Sequence, residues 1–369
     1  MAGRPMHQLY KAVARAAQRR DQIEMQSIDR LLSPLASTQT RRRKSGKRAR
    51  GLKRPRLARH QKDRPSRPTA GFRSILCPVD FSDESRIALR YAETIAKQSR
   101  GRLTVLYVND PLLIAAAAVA LHDRTLAKRS GAELSRFVES TLSPNDARPV
   151  LIDHVVATGE PVDEIAKAAR QRRCGLIVMG AHGITGADKL FMGSTTQGVF
   201  RLTTVPVLAV PTRASDKKRA RHLERSWPGK RVVAAVELDG RSLRDAMAAA
   251  DVARWFGSAL LLVHVVPEFK GPPWLHTRIG ANDRARITEA RSRLEAIAAR
   301  VRHHDEVETR VLFGNATDEI TTLAATERPG LVMTGLRKTD HWFGPRRGTI
   351  SYHVLLRANT PVLALPDYR

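Results

Sequence analysis

The chain states one unit twice, and this duplication limits the possible folds more than any other feature. Gly159, Gly180 and Gly193 recur as Gly314, Gly335 and Gly348, each 155 positions later. Chance similarity rarely holds one offset across three glycines. The copies open on Ser74-Ile75-Leu76-Cys77-Pro78-Val79-Asp80 and Arg231-Val232-Val233-Ala234-Ala235-Val236-Glu237. They close on Val205-Pro206-Val207-Leu208-Ala209-Val210 and Thr360-Pro361-Val362-Leu363-Ala364-Leu365.

Inside each copy, short continuous apolar runs alternate with longer amphipathic stretches. Strands without polar alternation are those covered on both faces, as in parallel sheets. Ile87, Ala88, Tyr91, Ala92 and Ile95 recur at helical spacing over Asp83–Ser99, with Ser82 as the expected N-cap. Val162, Ile165, Ala166 and Ala169 do the same after Pro161. The β-α-β-α alternation predicts α/β architecture, one open doubly wound parallel sheet per copy. The expected boundaries are an extension over 1–71, a first domain over 72–212, a linker over 213–230 and a second domain over 231–369.

Open parallel sheets bind ligands where loops leave the carboxyl ends of strands. In the first copy the strand Leu176–Met179 runs into Gly180-Ala181-His182-Gly183, then nine residues, then Gly193-Ser194-Thr195-Thr196. Gly180 and Gly183 are expected to supply positive φ and close backbone approach. Gly193 and Ser194 read as the start of a helix whose amides suit phosphate, helped by the hydroxyls of Ser194 and Thr196. His182 and Lys189 add charge nearby. Asp80, leaving the first strand, is placed to accept hydrogen bonds from a ribose or base.

The Asp80 strand, the Gly-x-x-Gly-(nine residues)-Gly-Ser loop and the Val-Pro-Val strand resemble the universal stress protein family, and the two copies resemble its tandem members. The resemblance covers Phe72–Pro366. It implies two five-stranded domains of the adenine nucleotide alpha hydrolase-like type, ATP as ligand with or without magnesium, and a cytoplasmic stress-response module. Carried over, Pro78, Val79 and Asp80 line the adenine and ribose side, and Val108 touches the base. Met179, Gly180, Gly183, Gly193, Ser194, Thr195 and Thr196 surround the ribose and phosphates. The two halves are expected to associate as an intramolecular pseudo-dimer, with a homodimer of whole chains left open.

The second copy departs from this pattern. Lys338 stands where Gly183 does, Glu237 replaces Asp80, and the loop carries Trp342, Phe343 and Pro345. A degenerate half that binds no nucleotide is expected, against the alternative that Arg337, Lys338, Arg346 and Arg347 grip phosphate directly. One ATP per chain follows.

Charge sets the extension apart. The chain carries 64 Lys and Arg against 36 Asp and Glu, a net charge of +28. Met1–Arg73 holds 21 of those bases and only four acids, Asp21, Glu24, Asp29 and Asp63. Arg41–Arg67 has few aliphatic residues to bury and is predicted to be disordered. A flexible polycation attracts nucleic acid or another polyanion by counterion release, the alternative functional reading. Met6–Arg20 has the pattern of a short Arg-rich amphipathic helix, with the look of a transit peptide or of a membrane-surface helix.

Several classes are excluded. Two cysteines form neither a disulfide framework nor a zinc-type spacing, which points to a reducing compartment. The longest apolar run, Leu112 to Leu121, is about half the roughly 20 residues of a membrane span. There is no Gly-x-x-x-x-Gly-Lys-Ser/Thr loop and no Gly-x-Ser-x-Gly elbow. His303-His304-Asp305 reads as a solvated helix end. Asp80-Phe81-Ser82-Asp83 lacks the Ser-Gly-Gly or His-x-x-His loop expected of ATP-cleaving enzymes of related topology. A binding protein is expected, with slow ATP hydrolysis as the enzymatic alternative.

Overall fold

The computed structural model describes residues 72–112, 114–115, 126–142, 149–181, 193–211, 227, 229–268, 276–301, 307–335, 354 and 357–366. The basic extension, Met6–Arg20, Gly183, Lys338 with the remainder of the second loop, and His303-His304-Asp305 lie outside the described residues. The first lobe runs β1 (Ser74–Val79), α1 (Asp83–Ser99), β2 (Arg102–Asn109), α2 (Leu126–Thr141), β3 (Leu151–Thr158), α3 (Pro161–Gln171), β4 (Leu176–Gly180), α4 (Ser194–Leu202) and β5 (Val207–Val210). The second runs β6 (Arg231–Ala235), α5 (Ser242–Phe256), β7 (Ala259–Val266), α6 (His276–Val301), β8 (Val307–Phe313), α7 (Ala316–Glu327), β9 (Leu331–Gly335) and β10 (Val362–Leu365).

The strands order as β3-β2-β1-β4-β5-β10-β9-β6-β7-β8 in one ten-stranded sheet. Within each lobe every pairing is parallel, as expected for doubly wound units. The seam between lobes is the antiparallel pair β5–β10, with Leu208 opposite Leu363. Because the seam reverses strand direction, the carboxyl ends of the two lobes' strands emerge at opposite edges of the sheet.

Local chemistry accounts for the elements. Helix α1 begins at Ser82, whose hydroxyl accepts from the Ser85 amide, with Asp83 and Glu84 in its first turn. Its buried face is Ala88, Leu89, Tyr91, Ala92, Ile95 and Ala96. Helix α3 starts with Pro161 at its first position, where proline's missing N–H costs nothing. The turn before it contains Gly159 at φ +156°, and its counterpart Gly314 sits at φ +141°. That is a backbone region side chains rarely adopt, so this glycine is kept in both copies.

On one face of the sheet the core is continuous across both lobes, running from Leu89 and Tyr91 through Leu208 and Leu363 to Ala249 and Leu294. An aromatic cluster reinforces it at the seam. Trp227 lies 5.0 Å from Tyr91 and 4.8 Å from Phe256, and Phe72 lies 5.0 Å from Trp255. The indole N–H of Trp227 donates to the Gly330 carbonyl at 2.7 Å. On the other face there are two clusters, one under α3 and α4 and one under α7, with Phe200 packed against both. No described helix is long and apolar enough to cross a membrane.

Candidate functional site

Strands β1 and β4 are parallel neighbours. Their carboxyl ends therefore emerge side by side, with Asp80 after one and Gly180 ending the other. The chain leaves β1 toward β2 on one side, while β4 lies on the other, which makes this the switch point of the lobe.

Two short bonds close the β4–α4 connection at its base. The Gly193 amide donates to the Ala181 carbonyl at 3.1 Å, and the Ala181 amide donates to Val210 at 3.0 Å. The Thr196 hydroxyl donates to the Gly180 carbonyl at 2.9 Å, tying the first turn of α4 to the strand. Gly193 is the N-cap of α4, and no side chain caps that end. Helix geometry gives the amides of Ser194, Thr195 and Thr196 no carbonyl of their own turn, and the helix dipole makes that end partly positive. The result is a set of donors beside a strand end, suited to an anion such as phosphate.

Asp80 lies in the β1–α1 turn, after the neighbouring strand end. Its Oδ1 accepts from the Ser82 amide at 3.1 Å and from the Ser82 hydroxyl at 2.5 Å. Ser85 completes the turn, accepting from the Asp80 amide at 3.4 Å and donating to the Ser82 carbonyl at 3.1 Å. Phe81 between them adopts φ +62°, a left-handed conformation costing a non-glycine residue about 1–3 kcal/mol. Its ring is fixed by Tyr107 at 4.4 Å and Phe137 at 5.4 Å. Phe81, Ser82 and Ser85 are parts of the site that sequence reasoning missed, although the Asp-x-Ser-x-x-Ser spacing carries the signal.

The other sequence-predicted residues divide between the faces. Pro78, Val108 and Met179 share a face, where Met179 and Val108 belong to the cluster under α3 and α4. Val79 packs on the opposite face, under α1, so only its backbone borders the cleft. Thr196 is 3 % exposed and its hydroxyl proton is engaged by Gly180. It positions the helix, and the expectation of a phosphate-facing hydroxyl is corrected for Thr196. Gly180 also differs from expectation, whereas Gly193 opens α4 as expected. Gly180 is not among the described glycines of positive φ, and Gly193 has φ −54°.

Asn109 ends β2 and is 1 % exposed, accepting from Ser130 at 2.8 Å, while its Nδ2 has no partner among the described residues. It packs on the α2 side of the sheet, away from Met179, and is not part of the cradle. Both thiols are buried. Burial pushes the Cys77 thiol far above its usual range, and burial also raises Cys174 against the opposing effects of Ser74 and Arg172. Among the described residues no group of three or more His, Cys, Asp or Glu could hold a metal ion.

The turn of the second lobe is built differently. The Ser242 hydroxyl donates to the Glu237 carbonyl and accepts from the Asp239 amide at 2.7 Å. The carboxylate that caps the turn is Asp239, accepting from the Arg241 amide at 3.0 Å, while Glu237 is exposed.

Comparison with known proteins agrees with this geometry. Residues 71–211 and 229–366 each match the model of the Universal stress protein family. Universal stress protein YxiE of Bacillus subtilis is 30 % identical over 149 residues, spanning 38 % of this chain and 99 % of the relative. Universal stress protein MJ0577 of Methanocaldococcus jannaschii is 25 % identical over 158 residues, 39 % of this chain and 98 % of the relative. A crystal structure of a universal stress protein from Archaeoglobus fulgidus covers 79 % of this chain and 97 % of its own, with a TM-score of 0.56 and 21 % identity, a likeness of fold. The chain belongs to the universal stress protein family and carries two of its units in tandem.

Proposed function

We propose that the chain is a nucleotide-responsive binding module of the stress response, holding one ATP in its first lobe and catalysing no reaction of its own. The observation that carries this reading is the uncapped start of α4, closed against β4 by the Gly193–Ala181 bond, with Asp80 preset on the adjoining strand end. The amides of Ser194 and Thr195 receive phosphate oxygens, and Asp80 accepts from the ribose hydroxyls. Pro78, Val108 and Met179 supply the apolar wall for the base. Magnesium enters as the counter-ion of the triphosphate. Residues that stabilise a transition state beyond holding the ligand are not part of this reading, which is why binding is preferred to hydrolysis. The two buried thiols suit a reducing, cytoplasmic setting.

Occupancy acts as a signal only where the ligand binds two states of the protein unequally. The test is calorimetric titration of the full chain with ATP, ADP and AMP, beside mass spectrometry of small molecules released from the purified protein. One adenine nucleotide per chain is expected. Asp80→Ala removes a charged acceptor and is expected to weaken binding roughly 10- to 100-fold. Unchanged affinity in that variant contradicts the placement.

A further inference from the structure

We infer that the amino-terminal edge of the first lobe's sheet is a docking surface for the phosphate backbone of a nucleic acid, presented by six arginines. This goes beyond the nucleotide reading and does not rest on it, since that cleft lies at the carboxyl ends of the same strands.

Arg73 and Arg102 stand at the starts of β1 and β2, which are paired there through Ser74 and Arg102. Arg100 ends α1, and Arg170, Arg172 and Arg173 lie at the end of α3 and in the turn to β4. All six are exposed. The backbone draws these turns together. The Gly175 amide donates to the Ser74 carbonyl at 2.8 Å, and a Cβ on Gly101 would meet the Arg73 carbonyl oxygen at 2.6 Å. Asp153 of β3 pairs with Arg172 at 3.3 Å and with Arg102 at 3.7 Å. Arg73, Arg100, Arg170 and Arg173 pair with no carboxylate among the described residues.

The second lobe shows what the fold itself requires. Its Gly330 amide donates to the Arg231 carbonyl as Gly175 does to Ser74, so the two edges correspond. The second edge carries Lys230, Arg231 and Arg328 against Glu308 and Glu327, and Arg231 reaches both carboxylates. It is close to neutral where the first sets six bases against Asp153. The turn after the first helix of each lobe agrees. Gly257 ends α5 at φ +66°, whereas Arg100 ends α1 at φ +50°. Glycine takes that left-handed conformation freely and arginine does not. The helix dipole favours a cation at a helix end, but Arg73 and Arg102 start strands.

Chemistry selects the partner. A guanidinium fork meets phosphate oxygens two at a time and is more weakly hydrated than an ammonium. Four strands about 4.8 Å apart make the edge about 15 Å wide, a length over which one strand of a duplex carries about four phosphates. No large aromatic side chain is exposed there among the described residues, so the contact is with the backbone and independent of base sequence. Leu151 is the exposed apolar residue of this edge, too little buried area to hold a membrane surface.

The test follows a short DNA duplex of mixed sequence binding to the full chain by fluorescence anisotropy over a range of salt, with thermal melts as a control for folding. The edge variant is Arg73→Ala/Arg100→Gly/Arg173→Gly, with glycine at the two positions of positive φ. Its charge-matched control is Arg284→Ala/Arg291→Ala/Arg300→Ala, three exposed arginines of α6. Both variants keep the basic extension. The edge variant is expected to bind at least about tenfold more weakly, with the slope of log affinity against log salt shallower by about 2–3. The control is expected to keep the wild-type slope. Amide exchange of wild type needs no variant, and duplex is expected to protect residues 99–102 and 172–175. Equal losses in both variants overturn the inference and assign binding to net charge. Loss in neither, with those amides unprotected, overturns it and assigns binding to the extension. No duplex binding by wild type overturns it outright. Phosphatidylserine vesicles that bind more tightly than duplex at equal salt, through the same arginines, overturn it in favour of a membrane.

Discussion

Asp80 is useful as an acceptor because its neighbours hold it still. Ser82 donates to it twice, Ser85 locks the turn, and Phe81 takes a left-handed conformation that its aromatic stack keeps in place. Ser82 is also the N-cap of α1. Ser82→Ala is therefore expected to have two separable effects. Stability drops by about 1 kcal/mol from the lost cap, read in a denaturant melt. ATP affinity falls several-fold, read by calorimetry, because the Asp80 carboxylate loses its anchor. A stability loss with unchanged affinity would mean that the turn does not preset Asp80. Much at this scale was legible: Ser82 as cap and Asp80 at a strand end followed from type and position. The strain at Phe81 was not, since nothing in a Phe codon position announces φ; it arises from packing against Tyr107 and Phe137, distant in sequence. The copies are offset by 155 at their glycines but by 157 through the first two strands, so comparison at the glycine offset misaligns their first helices.

Elements meet through contacts that constrain substitution narrowly. Gly198 lies within α4, and a Cβ there would meet Val162 Cγ2 at 2.5 Å, a stiff β-branched side chain on α3. Gly198→Ala is expected to destabilise by about 1–3 kcal/mol through overpacking, measured by chemical denaturation, and to weaken ATP binding by shifting α4. In the second lobe, β6, β8 and α7 are joined by charge. Arg231 reaches Glu308 at 2.7 Å and Glu327 at 2.9 Å, and Arg310 reaches Glu327 at 2.6 Å. The hydrogen bond from Arg310, with the charges of Arg310 and Arg231, holds the Glu327 carboxyl below its ordinary value of 4.5. A carboxyl depressed in the folded state adds stability above its unfolded pKa, and that contribution is lost as pH falls through the folded value. Glu327→Gln is thus expected to lower the melting temperature by about 1–3 °C at pH 7, with the difference from wild type shrinking as pH falls below the ordinary carboxyl value. A pH-independent difference would assign the effect to packing. The helices α1 and α3 were readable from apolar spacing because their buried faces are unbroken. The charge network of the second lobe was not, because Arg and Glu are common on every exposed face.

At the scale of the molecule, two family units become one sheet. The β5–β10 seam consists of two four-residue strands, and so short a ladder needs support. Trp227 supplies it, 7 % exposed between Tyr91 of one lobe and Phe256 of the other. Trp227→Ala is expected to cost about 3 kcal/mol and to split one unfolding transition into two, with Trp227→Phe milder; a single unshifted transition would show the seam to be self-sufficient. Duplication was plain in the sequence, and so was the parallel order within each lobe. The edge-to-edge antiparallel union was not, since Val207–Val210 and Val362–Leu365 are apolar runs that specify burial but neither partner nor direction. The reversal at the seam places the carboxyl ends of the two lobes' strands at opposite edges. The central claim is that the amides opening α4 hold the phosphates of an adenine nucleotide. It is tested most directly by amide hydrogen exchange of the full chain with and without ATP. Protection concentrated at Ser194, Thr195 and Thr196, with none at the end of β9, is the expected result; exchange at those three amides unchanged by saturating ATP would contradict it.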